Sequence, residues 1–236
     1  MTRRTLAPLV VATGNPDKVR EVVEILAETF DHPLCAAALD AADGATVGFV
    51  VASPDEIAGV VASLPALSVA PDVVETGSTL EANALIKARA VATALRFRCV
   101  ADDTGLEVDA LGGAPGVLSA RYAGPLAGAA DNCEKLQREI GRQLRASRTA
   151  RFVTVAVLYD PANGEQVAAR GKVEGVIVDT PRGANGFGYD PLFAPAGGNG
   201  RTFAEMSPAA KHRLSHRGRA FREPTDALAG ANTEKG

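Results

Sequence analysis

The stretch that decides the fold is CVADDTGLEVDALGGAPG, residues 99–116. The segment 97–101 is apolar except for one arginine, which is typical of a short buried strand. We expect this strand to end at Asp102 and Asp103 and the chain to break at Gly105. Adjacent side chains on a strand point to opposite faces, so the two carboxylates should have different roles. An ordinary acidic strand end explains the pair by itself, and a site for a hard cation such as Mg²⁺ is the alternative.

The composition limits the class of protein. The chain has 236 residues, of which 46% are hydrophobic and 22% are charged, as in an ordinary globular protein. The net charge of −3 provides no basic field for duplex nucleic acid. No apolar run approaches the roughly 20 residues of a membrane span, and the three scattered cysteines match neither a disulfide framework nor a zinc site. We therefore expect a cytoplasmic protein that binds neither duplex nucleic acid nor membranes.

Apolar patterns along the chain predict alternating strands and helices, and hence an α/β fold. The strands are expected over residues 6–12, 47–52, 150–159 and 166–178. The helices are expected over residues 16–29, 54–64, 131–145 and 220–228, with a short one starting at Pro208. A further helix should run to about Leu95, because Ser78 and Glu81 have the spacing of a capping box at its start.

The turn TGNPDK, residues 13–18, joins the first strand to the first helix. Asn15 is a good N-cap and Pro16 suits the first helical position. Free backbone N–H groups, the positive end of the helix dipole and the Lys18 ammonium would together attract an anion. The turn lacks the ending of a Walker A loop, and a plain strand–turn–helix with a surface lysine is the alternative.

Weaker signals come from the rest of the chain. Asn83 and Lys87 are four residues apart and so lie on one helix face, while Glu75 precedes the turn before that helix. Each of these residues suits a binding site and equally an ordinary solvated position. Their spacing does not decide between these two interpretations.

The loop GFGYD, residues 186–190, has two glycines around an aromatic residue. Glycines allow a backbone to approach a ligand closely, and an aromatic ring can stack on a base with about 1–3 kcal/mol. A tight turn with a core phenylalanine is equally consistent. Lys211, His216 and Arg217 are donors that suit a phosphate or an acceptor-rich ligand edge, or a solvated helix face. Together the phosphate turn, the carboxylates, the aromatic loop and the cations fit a metal-dependent nucleotide hydrolase.

Six motifs follow one another over nearly the whole chain: VATGNPDK (11–18), ETGST (75–79), NALIKA (83–88), ADDTGL (101–106), FGYDP (187–191) and SHRG (215–218). In this order they resemble the signature blocks of the inosine triphosphate pyrophosphatase family. The resemblance implies a mixed α/β fold with a long twisted central sheet flanked by helices, and two lobes around a substrate cleft. It also implies dependence on Mg²⁺, a homodimer, and hydrolysis of ITP, dITP and XTP to the monophosphate and pyrophosphate.

The same resemblance implies roles for individual residues. Asp103 would be the catalytic carboxylate and a metal ligand, with Asp102 beside it and Glu75 as the second ligand. The implied substrate-binding residues are Thr13, Gly14, Asn15, Pro16, Asp17, Lys18, Asn83, Lys87, Thr104, Phe187, Gly188, Tyr189, Asp190, Lys211, His216 and Arg217. A pyrophosphatase for another modified nucleoside triphosphate and a catalytically weak nucleotide-binding module are the alternatives.

Two features depart from the family pattern. Ala82 stands where many members have Glu, immediately before the asparagine equivalent to Asn83. The segment 31–74 is longer than the usual connection by roughly thirty residues. We therefore expect a single two-lobed domain over residues 1–230, with an insertion at 31–74 and a frayed tail at 229–236.

Overall fold

The computed structural model describes residues 5–143 and 147–229. Its strands are β1 (Leu9–Val11), β2 (Cys35–Asp40), β3 (Thr46–Ala52), β4 (Cys99–Val108), β5 (Pro115–Gly116), β6 (Thr149–Tyr159), β7 (Gln166–Ile177) and β8 (Phe193–Pro195). Its helices are α1 (Pro16–Phe30), α2 (Ile57–Ser63), α3 (Leu80–Leu95), α4 (Ala129–Gly141), α5 (Pro208–Leu214), α6 (His216–Arg222) and α7 (Thr225–Leu228). The last two residues of the helix predicted over 131–145 and most of the predicted tail lie outside the described residues.

The strands form one mixed sheet with helices on its faces, which confirms the predicted fold class. Its order is β2-β3-β1-β4-β6-β7-β8, and β5 pairs with β4. Strand β1 runs parallel to β4, with Val10 opposite Cys99, and antiparallel to β3, with Leu9 opposite Val51. The turn after β1 therefore lies at the end of a buried strand with a partner on each side.

Helix α1 begins as predicted. The Asn15 side chain accepts hydrogen bonds from the backbone N–H groups of Asp17 and Lys18, and a proline occupies the first turn. The helix buries one apolar face, which includes Val22, Ile25 and Leu26 with no exposed surface. The cap and the apolar stripe fix both the start of this helix and the direction in which Lys18 leaves it.

The strand that carries the acidic pair is longer than predicted. Strand β4 continues through Gly105 to Val108, so the expected end at Asp103 and the expected break are wrong. Leu106 and Val108 are fully buried at a spacing of two, and Leu106 pairs with Gly116 of β5. Burial of this second apolar pair outweighs the weak strand propensity of glycine, so the two acids lie in the middle of the strand.

Helix α3 starts one residue later than predicted. Its N-cap is Thr79, whose hydroxyl accepts a hydrogen bond from the Ala82 N–H at 3.1 Å, so the expected cap at Ser78 is wrong. The buried face of α3 includes Ala84, Ala88 and Val91.

Strand β3 and helix α2 confirm the elements expected within residues 31–74, whereas β2 was missed. Its residues alternate between half-buried and exposed, but four of the six are cysteine or alanine, small side chains that give little hydrophobic contrast. The three-residue strand β8 was also missed; it exists because it pairs with β7, with Ala194 opposite Val176.

The contacts of the chain define two units. Among the described residues, unit 1 comprises residues 5–102, 155–169 and 221–229, and unit 2 comprises residues 103–143, 147–154 and 170–220. Unit 1 contains a core of small aliphatic residues such as Val10, Val50 and Ala88. Unit 2 contains a core of larger side chains, which include Leu136 and Phe193. Among the helices of the described residues, none is long and apolar enough to cross a membrane.

Candidate active site

The acidic pair of β4 is buried. Asp102 is 2% exposed and Asp103 is 8% exposed. Nζ of Lys18 lies 3.5 Å from Oδ2 of Asp102, and a buried carboxylate needs such a partner to stay ionised. Both carboxylates lie inside β4, where consecutive side chains leave a strand on opposite faces. Different roles for Asp102 and Asp103 stay a prediction.

The N–H groups at the start of α1 are largely used within the turn itself. The Asn15 N–H donates to Oγ1 of Thr13 at 3.1 Å, and the N–H groups of Asp17 and Lys18 donate to Oδ1 of Asn15 at 2.9 and 3.4 Å. The expectation of free N–H groups is wrong for these three residues. The attraction of this turn for an anion rests on the helix dipole, the Gly14 amide and the Lys18 ammonium.

A second ion pair of unit 1 joins Glu75 to Lys87 of α3, with 3.3 Å between Oε1 and Nζ. Asn83 lies one helical turn before Lys87 and is fully buried. Its Oδ1 accepts a hydrogen bond from the Gly77 N–H at 2.8 Å. Asn83 thus fixes the turn that follows Glu75, and its contact with substrate stays a prediction.

In unit 2, a buried ion pair organises the glycine-rich loop. Nζ of Lys211 lies 2.6 Å from Oδ2 of Asp190, and both side chains are at most 5% exposed. The same oxygen accepts a hydrogen bond from the Phe187 N–H at 2.8 Å. A Cβ on Gly186 would overlap this carboxylate, and the residue has a φ of +72°, so glycine is required there. The loop is held in one conformation by a charge-assisted contact.

Arg217 and His216 lie in the interior of unit 2, at 1% and 3% exposure. The guanidinium carbon of Arg217 lies 5.5 Å from the centre of the Phe187 ring, and its Nη2 donates to Oγ1 of Thr104 at 3.2 Å. The His216 ring stacks on Phe152 with 4.5 Å between centres and 16° between planes. The alternative of a solvated basic face is therefore wrong for these two residues.

Sequence reasoning missed two residues of β6 that support this cluster. The Phe152 ring stacks on the His216 ring, and the hydroxyl of Thr154 lies 2.7 Å from that of Thr104. They are two positions apart and therefore face the same side of the strand. That spacing was visible in the sequence, but nothing indicated which face would meet Thr104 and His216.

The loop has two further attachments. The Cys133 thiol donates to the Gly188 carbonyl oxygen at 3.4 Å, and the Tyr189 hydroxyl donates to the Ser119 carbonyl oxygen at 2.9 Å. Burial, and after it the nearby charge of Asp190, raises the pKa of the Cys133 thiol to about 11. Burial likewise raises the pKa of Tyr189 above its ordinary value. Both groups stay protonated at neutral pH and keep their hydrogen bonds to the backbone.

A metal ion is implied by the resemblance. Within residues 5–143 and 147–229, no three or more His, Cys, Asp and Glu side chains are gathered as a metal site. Mg²⁺ in nucleotide enzymes takes one or two carboxylates and fills its coordination with substrate phosphates and water. The buried Asp103 and the half-buried Glu75 have the oxygen chemistry for this. Whether the two carboxylates hold one cation stays a prediction.

Comparisons with known proteins identify the family of this chain. The sequence model of the Ham1 family matches residues 9–227. A dITP/XTP pyrophosphatase of Nocardia farcinica is 41% identical over 225 residues, covering 95% of this chain and 96% of the relative. One of Thermus thermophilus is 45% identical over 216 residues, covering 91% and 88%.

Solved structures give the same result. A HAM1 protein from Coxiella burnetii covers 92% of this chain and 96% of its own, with a TM-score of 0.68 and 33% identity. A nucleoside-triphosphatase, also described as a dITP/XTP pyrophosphatase, from Mycobacterium abscessus covers 89% and 94%, with a TM-score of 0.59 and 37% identity. This chain belongs to the Ham1 family, which confirms the resemblance found in its motifs.

Proposed function

We propose that this protein hydrolyses the non-standard purine nucleotides dITP, XTP and ITP to the monophosphate and pyrophosphate, and so removes them from the nucleotide pool. Membership of the family makes the chain a hydrolase of the nucleoside triphosphate pyrophosphatase class. The observation that carries the proposal is the buried pair Asp102–Asp103, in which Lys18 at the start of α1 engages one carboxylate. Buried acids beside an anion-attracting helix start suit phosphoanhydride hydrolysis.

The residues of unit 1 would act on the phosphates. Lys18 and Lys87 supply fixed positive charge where the transition state accumulates negative charge. Asp102 holds the Lys18 ammonium at 3.5 Å and so positions it. Asp103, the next residue of β4 and the first of unit 2, would accept the proton of the attacking water. Mg²⁺ bound with Asp103, Glu75 and the substrate would neutralise phosphate charge and polarise the α-phosphate.

The residues of unit 2 would select the base. Phe187 offers a ring for stacking, and Arg217 and His216 offer buried donors. Hypoxanthine and xanthine have a keto acceptor at position 6, whereas adenine has an amino donor there. If adenine were bound, its amino group would face the buried donors of Arg217 and His216, and these donors would lose their hydrogen bonds. A site of this kind therefore rejects adenine strongly. The polarity of these side chains therefore favours 6-keto purines.

A single panel of substrates tests the function. Release of pyrophosphate should be measured with dITP, XTP, ITP, dATP, dGTP and a modified pyrimidine triphosphate, each with Mg²⁺ and after chelation. We expect turnover of the first three, much less of dATP, and loss of turnover on chelation. Preference for the modified pyrimidine would indicate a pyrophosphatase for another substrate. Binding without turnover would indicate a nucleotide-binding module.

We further propose that the protein acts as a homodimer in the cytoplasm. The resemblance of the motifs supports the dimer, and the three free cysteines suit a reducing compartment. Sedimentation equilibrium at micromolar concentration measures the assembly directly. A mass equal to that of one 24.3 kDa chain would contradict the dimer.

A further inference from the structure

The hydroxyl of Thr154 lies at the buried end of a chain of hydrogen bonds in unit 2. Thr154 has no exposed surface, and its Oγ1 lies 2.7 Å from that of Thr104 in β4. The Thr104 hydroxyl in turn accepts a hydrogen bond at 3.2 Å from Nη2 of Arg217. Thr104 and Arg217 are expected to bind the substrate, whereas Thr154 has been given no role so far.

The direction of the hydrogen bond between the two threonines follows from the surroundings of Thr154. A hydroxyl has one proton to donate and two lone pairs that accept. Within residues 5–143 and 147–229, the hydroxyl of Thr104 is the one hydrogen-bonding partner of the Thr154 hydroxyl, and burial keeps water away from it. If Thr104 were the donor, the proton of Thr154 would be buried without an acceptor, which is unfavourable. Thr154 is therefore the donor.

The contact between Arg217 and Thr104 also has a fixed direction, because a guanidinium has donors and no acceptor. The Thr104 oxygen thus accepts hydrogen bonds from Thr154 and from Arg217, which together use both of its lone pairs. The hydrogen-bonding capacity that remains to this side chain is its own proton. Toward any further partner, Thr104 can therefore act only as a donor.

The Thr154 side chain is held in place by β6. The residues before and after it are buried, and a β-branched side chain has few χ1 rotamers available. Phe152 lies two positions earlier on the same face of the strand, and its ring stacks on that of His216. One face of β6 therefore contacts His216 directly and Arg217 through Thr104. These two residues are adjacent in the chain, so the start of α6 is fixed at two points.

We propose that Thr154 is a positioning residue for the substrate: it keeps Thr104 as a hydrogen-bond donor, and through Thr104 it holds Arg217 in place. The inference rests on the proposed function, because it takes the further partner of Thr104 to be an acceptor oxygen of that substrate. Such oxygens occur at position 6 of hypoxanthine and xanthine and on the phosphates. The amino group of adenine is a donor, and Thr104 in this state cannot accept from it.

Three substitutions in β6 test this role. Thr154→Val replaces the hydroxyl with a methyl group, Thr154→Ser keeps the hydroxyl, and Thr149→Val makes the first change at an exposed position of the same strand. The measurements are kcat and KM for dITP and dATP, and calorimetric titration with the monophosphate dIMP. For Thr154→Val we expect a higher KM for dITP and weaker dIMP binding, each by about fivefold, as for the loss of one neutral hydrogen bond. The kcat of this variant, and all values for Thr154→Ser and Thr149→Val, should stay within about twofold of wild type.

The comparison of the two bases locates the acceptor oxygen. A rise in KM for dITP alone assigns it to position 6 of the base, and an equal rise for dITP and dATP assigns it to a phosphate. Either result supports the positioning role. Thr154→Ala and Thr154→Ser differ from each other only by the hydroxyl, and they provide the same comparison if the valine variant does not fold.

A double-mutant cycle separates positioning from a loss of packing. If Thr154 acts through Thr104, Thr154→Val should change dIMP binding by no more than about twofold in a Thr104→Val background. Additive losses would overturn the proposal. It would also be overturned by equal dIMP binding in wild type and Thr154→Val, by failure of Thr154→Ser to restore binding, or by a wild-type protein that does not bind dIMP.

This inference and the proposed function can fail separately. Turnover of dITP by wild type, together with equal dIMP binding by Thr154→Val, would contradict the positioning role and leave the function intact. Weaker dIMP binding by Thr154→Val that Thr154→Ser restores, in a protein that releases no pyrophosphate, would support the positioning role and contradict the function.

Discussion

The guanidinium of Arg217 donates to the hydroxyl of Thr104 at 3.2 Å, and Thr104 directly follows Asp103 in β4. The strand that contains the proposed catalytic carboxylate is thus hydrogen-bonded to the side chain that is expected to bind the base. Arg217 is 1% exposed and also lies over the Phe187 ring. A movement of the arginine would therefore affect both the stacking residue and the strand.

Asp103→Asn should remove nearly all turnover of dITP while nucleotide binding stays measurable. The amide keeps the shape of the side chain but accepts a proton far less readily than a carboxylate. Turnover is measured as pyrophosphate release and binding by calorimetry. Asp55→Asn, at an exposed position, makes the same chemical change and should behave as wild type. Unchanged turnover in Asp103→Asn would contradict the assignment.

Arg217→Ala should lower kcat/KM for dITP by about 10- to 100-fold, because a charged hydrogen bond contributes about 1.5–3 kcal/mol. It should lower kcat/KM for dATP much less, so that the discrimination between the two bases narrows. Steady-state kinetics on both substrates provides the ratio. Arg213→Ala removes the same charge from an exposed position of α5 and serves as the control. An equal loss on both substrates would assign Arg217 to the phosphates instead.

Gly171→Ala should destabilise the protein by about 3 kcal/mol, because overpacking of this kind forces the backbone to move. A Cβ on Gly171 would overlap the carbonyl oxygen of His216 at the start of α6. Gly59→Ala in α2 meets nothing within 4 Å and should stabilise the helix by about 0.5–1 kcal/mol. Urea unfolding measures both changes. We expect the two substitutions to change the free energy of unfolding in opposite directions. Equal urea midpoints for the two variants would be inconsistent with the packing of β7 against α6.

Alkylation of Cys133 should be slow at pH 8 and rise about tenfold per pH unit up to about pH 10, since only the thiolate reacts. The raised pKa of about 11 leaves about one thiol in a thousand ionised at pH 8. Mass spectrometry of the peptide that contains Cys133 follows the reaction, and the urea-unfolded chain is the control. A folded rate equal to the unfolded one would contradict the burial of the Cys133 thiol.

The raised pKa of Cys133 also affects the free energy of unfolding. The pKa of Cys133 is raised from an ordinary value of 9.0 to about 11 by burial. The folded state therefore binds the proton more tightly than the unfolded state. The stability linked to the neutral thiol is fully present below about pH 9 and is lost as the pH rises through about 11. Cys133→Ser should flatten the unfolding free energy over this window relative to wild type.

Local chemistry made several features predictable. The start of α1 follows from Asn15 and Pro16, and strand β6 follows from an apolar run that is buried almost throughout. Strand β2 and the length of β4 were not predictable in this way. Pairing with β3 stabilises an alanine-rich strand, and pairing with β5 carries β4 past Gly105. Hydrogen bonds to a distant strand leave no periodic signal in the strand that they stabilise.

The sequence by itself determined the family, the fold class and the chemical types of the candidate residues, because motifs and apolar periods are local. Only the tertiary structure decided which side chains are paired and buried. It placed Lys18 against Asp102, brought Lys211 to Asp190, and buried Arg217 beside Phe187. It also placed Val47 and Ala70 in the wall of a cavity that Lys87 lines as well. These relationships join residues far apart in the chain, and burial of their charges is energetically possible only where the fold brings the partners together.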